Sequence, residues 1–196
     1  KKIKKYSEHA LVGIVGVDRD HHGTAFERFT EHGPLALLPL VNQGFALAWT
    51  LPEHDAQAMT ALPTEEFLSL LQDSFGDRAG FFTACNQLTT YPLSQVEIES
   101  PVSNRCVAVG NAAHIVHPVA GQGFNLGLRD IACLSEDIAN ATLENADIGE
   151  TSFLQRYASN RRDQTRRVLR FTDGLLQLFA NELPGLRVAR NIGLNL

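Results

Sequence analysis

Apolar residues in the first half of the chain gather in short runs bounded by polar turns, and in the second half they recur at helical spacing. The apolar run over residues 10–17 predicts a buried strand, which the polar run Asp18-Arg19-Asp20-His21-His22-Gly23 ends as a turn. Further strands are predicted around 24–29, 35–39 and 44–51, joined by turns short enough to make the sheet antiparallel. Thr64, Glu65 and Glu66 read as a cap and acidic first turn for a helix carrying Phe67, Leu68, Leu71 and Phe75, which Gly76 stops. A strand near 91–98 follows, and 101–104 reads as a hinge. Beyond it, Val107-Ala108-Val109 predicts a short buried strand, and Leu126, Leu128, Ile131, Leu134 and Ile138 predict a helix. Thr151 reads as the cap of a long last helix carried by Phe153, Leu154, Tyr157, Val168, Phe171, Leu175 and Phe179, with Pro184-Gly185 as its end. The predicted class is α+β. A mostly antiparallel sheet with covering helices occupies residues 1–101, a strand-loop-helix element 102–150, and a helical tail 151–196.

A hydrophobic content of 44% in 196 residues is enough to bury a sizeable core, in one large or two small domains. The formal net charge of −5 leaves no general nucleic-acid footprint, and no apolar run approaches the length that spans a bilayer. Cys85, Cys106 and Cys133 are odd in number and form no Cys-x-x-Cys pair. That argues against a disulfide framework or a zinc site and fits a reducing cytoplasm.

The most informative stretch is 110–130, where a strand end, a turn and a glycine-rich helix start are packed together. Gly121 and Gly123 let the backbone approach a bound group closely. The free N–H groups of the first helical turn, around Phe124 and Asn125, add donors and a partial positive charge that suit an electron-rich ring or an anion. In isolation, two glycines before a helix are more often a plain tight turn. His114 and His117 have the spacing of a helical metal pair, but no acidic third ligand stands near them and Pro118 disfavours a helix there. The Asp18–His22 charges read as a solvated turn. No metal is assigned to either cluster.

Gly-Asn-Ala-Ala-His, followed by His-Pro-x-x-Gly-Gln-Gly-x-Asn-x-Gly and Arg-Asp, resembles the second FAD motif of the class A flavin monooxygenases, relatives of p-hydroxybenzoate hydroxylase. Within that group, Gly33-Pro34-Leu35-Ala36-Leu37-Leu38-Pro39-Leu40, after Ala25-Phe26-Glu27-Arg28-Phe29, resembles the ubiquinone-biosynthesis hydroxylases, above all those acting on 2-polyprenyl-6-methoxyphenol. The likeness runs clearly from about residue 10 to residue 157. One position departs: most of the family has Asp where this chain has Asn111, and an amide can still donate to and accept from ribityl hydroxyls.

The resemblance implies a piece of the α/β FAD-binding fold of p-hydroxybenzoate hydroxylase. Residues 1–101 would be the substrate-binding sheet, and 102–150 the C-terminal part of the FAD-binding domain. It implies FAD as cofactor, NAD(P)H as co-substrate, and oxygen from O₂ passed through a flavin hydroperoxide to the ring of a polyprenylated phenol. The candidate flavin contacts are Gly110, Asn111, Pro118, Gly121, Gly123, Phe124 and Asn125. Asn111 would hold the ribityl chain, the helix start would face the pyrimidine edge, and Pro118 would shape the backbone over the ring. Pro118 and His117 are the candidate catalytic positions, although a histidine beside such a loop is as readily a packed, hydrogen-bonded element. Arg129 and Asp130 read as braces of the loop. Leu35–Pro39 and the region of Trp49 read as walls of the substrate sheet, or equally as core.

No Gly-x-Gly-x-x-Gly turn is present, and Gly13-Ile14-Val15-Gly16 has the wrong spacing for one. The chain opens at Lys1, and its only methionine is Met59. The expectation is therefore the C-terminal part of a longer enzyme, inactive alone and binding FAD weakly or not at all. The alternative is a flavin-free binding or assembly module for a prenylated phenol or a partner protein in a biosynthetic complex. Arg161, Arg162, Arg166, Arg167 and Arg170 make a basic stripe on the last helix, which is either a solvated face or, with the apolar residues after it, a peripheral contact with the inner face of the cell membrane.

Overall fold

A computed structural model describes residues 1–41 and 44–180, without the side chains of Ala120 and 177–180. The predicted helix end at Pro184-Gly185, and the side chain of Phe179, lie outside the described residues. The elements in chain order are β1 (Lys2–Val17), β2 (Phe26–Phe29), β3 (Pro34–Leu40), β4 (Gly44–Pro52), α1 (Glu53–Ala61), α2 (Thr64–Phe75), β5 (Phe82–Glu97), β6 (Val102–Ser103), β7 (Cys106–Val107), β8 (His114–Ile115), α3 (Gln122–Leu143) and α4 (Thr151–Ala180). Short 3-10 turns at Asp77–Ala79, Gly110–Ala112 and Val119–Gly121 complete it. The chain forms two compact units, one of Tyr6–Leu93 and one of Lys1–Lys5 with Ser94–Gln177.

In the first unit the strand order is β2-β3-β4-β1-β5. β4 runs antiparallel to both neighbours, with Trp49 opposite Leu35 on one side and Leu11 on the other. Because side chains alternate along a strand, this register puts Leu11, Val15, Leu35, Leu37, Phe45, Leu47, Trp49 and Leu51 in one core. α2 covers that core with Phe67, Leu71 and Phe75, and α1 adds Ala56. Each large side chain so buried stabilises by roughly 1.5–3 kcal/mol. The other face of the sheet carries Val12, Ile14, Ala36, Leu38, Ala46 and Ala48, none of them buried. The expected substrate wall is corrected accordingly: Leu35, Leu37 and Trp49 belong to the core, and only Ala36 and Leu38 of that run lie on the open face.

In the second unit the end of β5 pairs with β8, matching Val96 with Ile115 and Glu97 with His114. Val116, Leu126 and Leu169 form one small core, and Ala141, Phe153 and Leu154 another. These join α3 to α4. The expected hinge at 101–104 is instead β6 and its turn to β7, and the division between units falls inside β5. A sixteen-residue strand can leave one unit and enter the next without a linker.

Candidate flavin site

The expected strand over Val107–Val109 reduces to β7, after which Val109 stays extended and Gly110 turns left-handed at φ +57°. A side chain there would be strained, so glycine suits the position. The 3-10 turn Gly110–Ala112 follows, then β8, and then Pro118, whose carbonyl accepts the Gly121 N–H at 2.9 Å. Gly121, at φ +59°, is the cap of α3.

α3 opens with no side-chain cap and no acidic residue in its first turn. Its first turn therefore has no side-chain oxygen capping it from Gly121 and no neutralising carboxylate of its own. A Cβ at Gly121 or Gly123 would meet no atom within 4 Å, so the space over both glycines is clear. Asn111, Pro118, Phe124 and Asn125 are all exposed, Phe124 by 75%. Clear space, first-turn donors without a side-chain cap and an exposed amide at Asn111 fit an electron-rich, hydroxyl-bearing group such as FAD. Among the described residues no cluster of three or more potential metal ligands occurs.

His117 is only 1% exposed, and its Nδ1 accepts the Val119 N–H at 3.2 Å. That environment favours its packed reading over proton transfer.

The centre of the unit is Asp130, which sequence reasoning left as a mere brace. Its Oδ2 accepts the Gly110 N–H at 2.9 Å and His114 Nε2–H at 2.6 Å. Its Oδ1 accepts Arg161 Nε–H at 2.8 Å, with Nη2 at the same distance as an ion-pair contact but without hydrogen-bond geometry. Arg161 also donates through Nη1 to Gln164, and the Tyr157 hydroxyl donates to the Asp130 carbonyl at 3.2 Å. His114, Asp130, Tyr157 and Arg161 are all buried. Burial pushes the Asp130 carboxyl up, but the bonds from His114, Gly110 and Arg161 outweigh that and hold it below the usual carboxylate range. Burial, followed by the Asp130 charge, pushes the Tyr157 hydroxyl up to about 12. A cavity of about 40 Å³ borders the cluster, between Glu97, His114, Asp130, Tyr157, Arg161 and Thr165.

Arg161 is thus corrected from a member of the basic stripe to a buried ion-pair partner. Arg162 reaches the Glu99 carbonyl at 3.5 Å and Arg166 the Glu97 carboxylate at 3.2 Å, while Arg167 and Arg170 are exposed. A signal for this did exist: Leu154, Ala158, Arg161, Thr165 and Leu169 recur at three- to four-residue steps, which puts Arg161 on the buried face of α4.

Residues 4–172 match the family described as FAD binding domain. The chain belongs to this FAD-binding domain family. Ubiquinone hydroxylase UbiL of Rhodospirillum rubrum is 36% identical over 96% of this chain and 44% of its own length. The mitochondrial ubiquinone biosynthesis monooxygenase COQ6 of Caenorhabditis elegans is 31% identical over 97% of this chain and 50% of its own. The chain spans about half the length of the curated relatives it matches. Among solved structures, PqsL of Pseudomonas aeruginosa with 2-aminobenzoylacetate superposes with a TM-score of 0.75 at 18% identity, covering 92% of this chain and 50% of that one. The p-nitrophenol 4-monooxygenase PnpA of Pseudomonas putida gives 0.71 at 17%, covering 97% and 48%. At such identities the likeness is one of fold.

Proposed function

We propose that this chain supplies the flavin-ring side and the substrate sheet of an FAD-dependent monooxygenase that hydroxylates a polyprenylated phenol in ubiquinone biosynthesis, with NAD(P)H as reductant and O₂ as oxygen source. The observation that carries this reading is the uncapped start of α3 beneath the clear space at Gly121 and Gly123. FAD, when bound, supplies the activated oxygen; this chain's residues bind and orient. In this reading the first-turn N–H groups of α3 stabilise negative charge on the flavin's pyrimidine edge, and Asn111 holds the ribityl chain. Pro118, the rigid residue ahead of the turn, shapes the backbone over the ring, and His117 keeps the turn packed. The phenol and its isoprenoid tail lie on the open sheet face at Val12, Ala36, Leu38, Ala46 and Ala48, where small apolar side chains leave room for a flat ring.

Two relatives, one named a ubiquinone hydroxylase and one a ubiquinone biosynthesis monooxygenase, support the substrate class. A peripheral place on the inner face of the cell membrane, and in a ubiquinone-biosynthesis complex, belongs to the same reading, with the exposed Arg167 and Arg170 supplying positive charge. The test reads binding rather than turnover, because the chain is expected to be inactive alone: the purified chain is titrated with a short-tailed prenylphenol and with riboflavin, and both should give saturable shifts, the flavin at the start of α3. Saturable phenol binding with no flavin-induced shift at any concentration would favour the flavin-free assembly module instead.

A further inference from the structure

We propose that Asp130 is a positioning residue: by bonding both ends of the Gly110–His114 turn, its carboxylate fixes the direction in which Asn111 presents its amide to the hydroxyl chain of a flavin. The proposal rests on the reading of Asn111 as the ribityl contact. One oxygen, Oδ2, takes the Gly110 N–H at 2.9 Å and His114 Nε2–H at 2.6 Å, and these two residues bracket Asn111. Asn111 itself is exposed and makes no hydrogen bond among the described residues, so its direction follows from the turn that carries it.

Of the turn's own backbone bonds, Ala113 N–H to the Gly110 carbonyl at 2.9 Å does not span the left-handed Gly110 φ of +57°, and the one that does, Ala112 N–H to the Val109 carbonyl, is long at 3.3 Å and leaves Gly110 some freedom to pivot. The bond to Asp130 removes that freedom. Arg161, on Oδ1, holds the carboxylate in turn. Since Asp130 belongs to α3, the helix whose leading N–H groups face the clear space also sets Asn111. Ring and chain contacts are thereby built on one rigid element, as a precise site requires.

Asp130→Asn keeps the shape but turns one acceptor into a donor, so the side chain can no longer accept from Gly110, His114 and Arg161 together. The first readout needs no flavin: the ¹⁵N order parameter of Asn111 in the chain as it is. It should fall from the rigid value of about 0.85 to below about 0.6 in the variant, while amides of Tyr6–Leu93 stay unchanged. His114→Phe removes one end of the clamp with Arg161 and Asp130 intact, and decides the matter should Asp130→Asn not fold. Retained order of Asn111 in the folded variants overturns the proposal.

The second readout compares riboflavin with lumiflavin, which has the ring and no ribityl chain. Asp130→Asn and Asn111→Ala should each weaken riboflavin binding about tenfold, the size of one lost hydrogen bond, leave lumiflavin binding unchanged, and be non-additive together. Disorder of Asn111 with equal losses for both flavins, or no riboflavin binding by the unaltered chain, overturns the ribityl reading and leaves the clamp standing.

Discussion

Gly127 of α3 lies so close to the turn before Asn111 that a Cβ built on it would stand 3.6 Å from the Gly110 Cα. Two glycines from different elements make this approach, one of them left-handed. At 3.6 Å a single methyl is in ordinary contact, whereas a longer branched side chain must push against the Gly110 backbone or turn aside from it. Gly127→Ala should therefore be neutral or stabilise by up to about 1 kcal/mol through helix propensity. Gly127→Leu should cost about 1–3 kcal/mol by overpacking. Urea unfolding of the two variants checks both signs.

Arg161 and Arg167 look alike in sequence, yet one is buried against Asp130 and the other is exposed. Arg161→Ala leaves a buried carboxylate short of its cation and should cost about 3–5 kcal/mol, while Arg167→Ala should stay within about 0.5 kcal/mol. Charge reversal at Arg167 and Arg170 should weaken binding to anionic liposomes at low salt. Unchanged binding would remove the membrane contact.

Much of this was legible in the sequence and part was not, for reasons that differ by element. β3 and β4 are apolar runs bounded by turns, and α2 carries its large apolar side chains on one face, so all three are visible. β1 and β5 each extend to sixteen residues, beyond the stretches that read as strands. Their remaining residues, such as Lys2, Lys4, Thr89 and Thr90, pair through the backbone and leave no hydrophobic pattern. α1 was missed because Ala56 is its only buried residue, although Pro52 with Glu53 and Asp55 marks a helix start. Thr64 and Thr151 are first helical residues rather than caps, and Pro63 takes the cap position of α2. The glycine turn and α3 were readable because they are contiguous. The Asp130 cluster was not, since His114 and Arg161 stand sixteen and thirty-one residues away from it.

Acid should unfold the unaltered chain partly through Asp130. Its native value lies below the ordinary 3.8, so its contribution is present above pH 3.8 and is lost as pH falls through the lower native value. Asp147, held at about 2 by Arg105, behaves with the same sign but is exposed, so salt should screen it. The pH slope of stability below about 4 should shrink in Asp130→Asn and should persist at high salt in the unaltered chain.

Tyr157 gives the alkaline counterpart. Its hydroxyl is raised from 10 to about 12, so the folded state holds a proton that the unfolded chain releases. Stability should fall as pH rises from 10 towards 12. Phenolate absorbance should show one tyrosine ionising late, and Tyr157→Phe should remove that phase.

The central claim is that the turn at Asn111 and the start of α3 form a flavin site. Its most direct test is an amide-resolved NMR titration of the purified chain with FAD, which registers binding even when it is weak. The account predicts saturable shifts centred on the amides of residues 110–111 and 119–125, abolished by Gly123→Val. Shifts elsewhere, no shifts at all, or an unaffected Gly123→Val variant would contradict it.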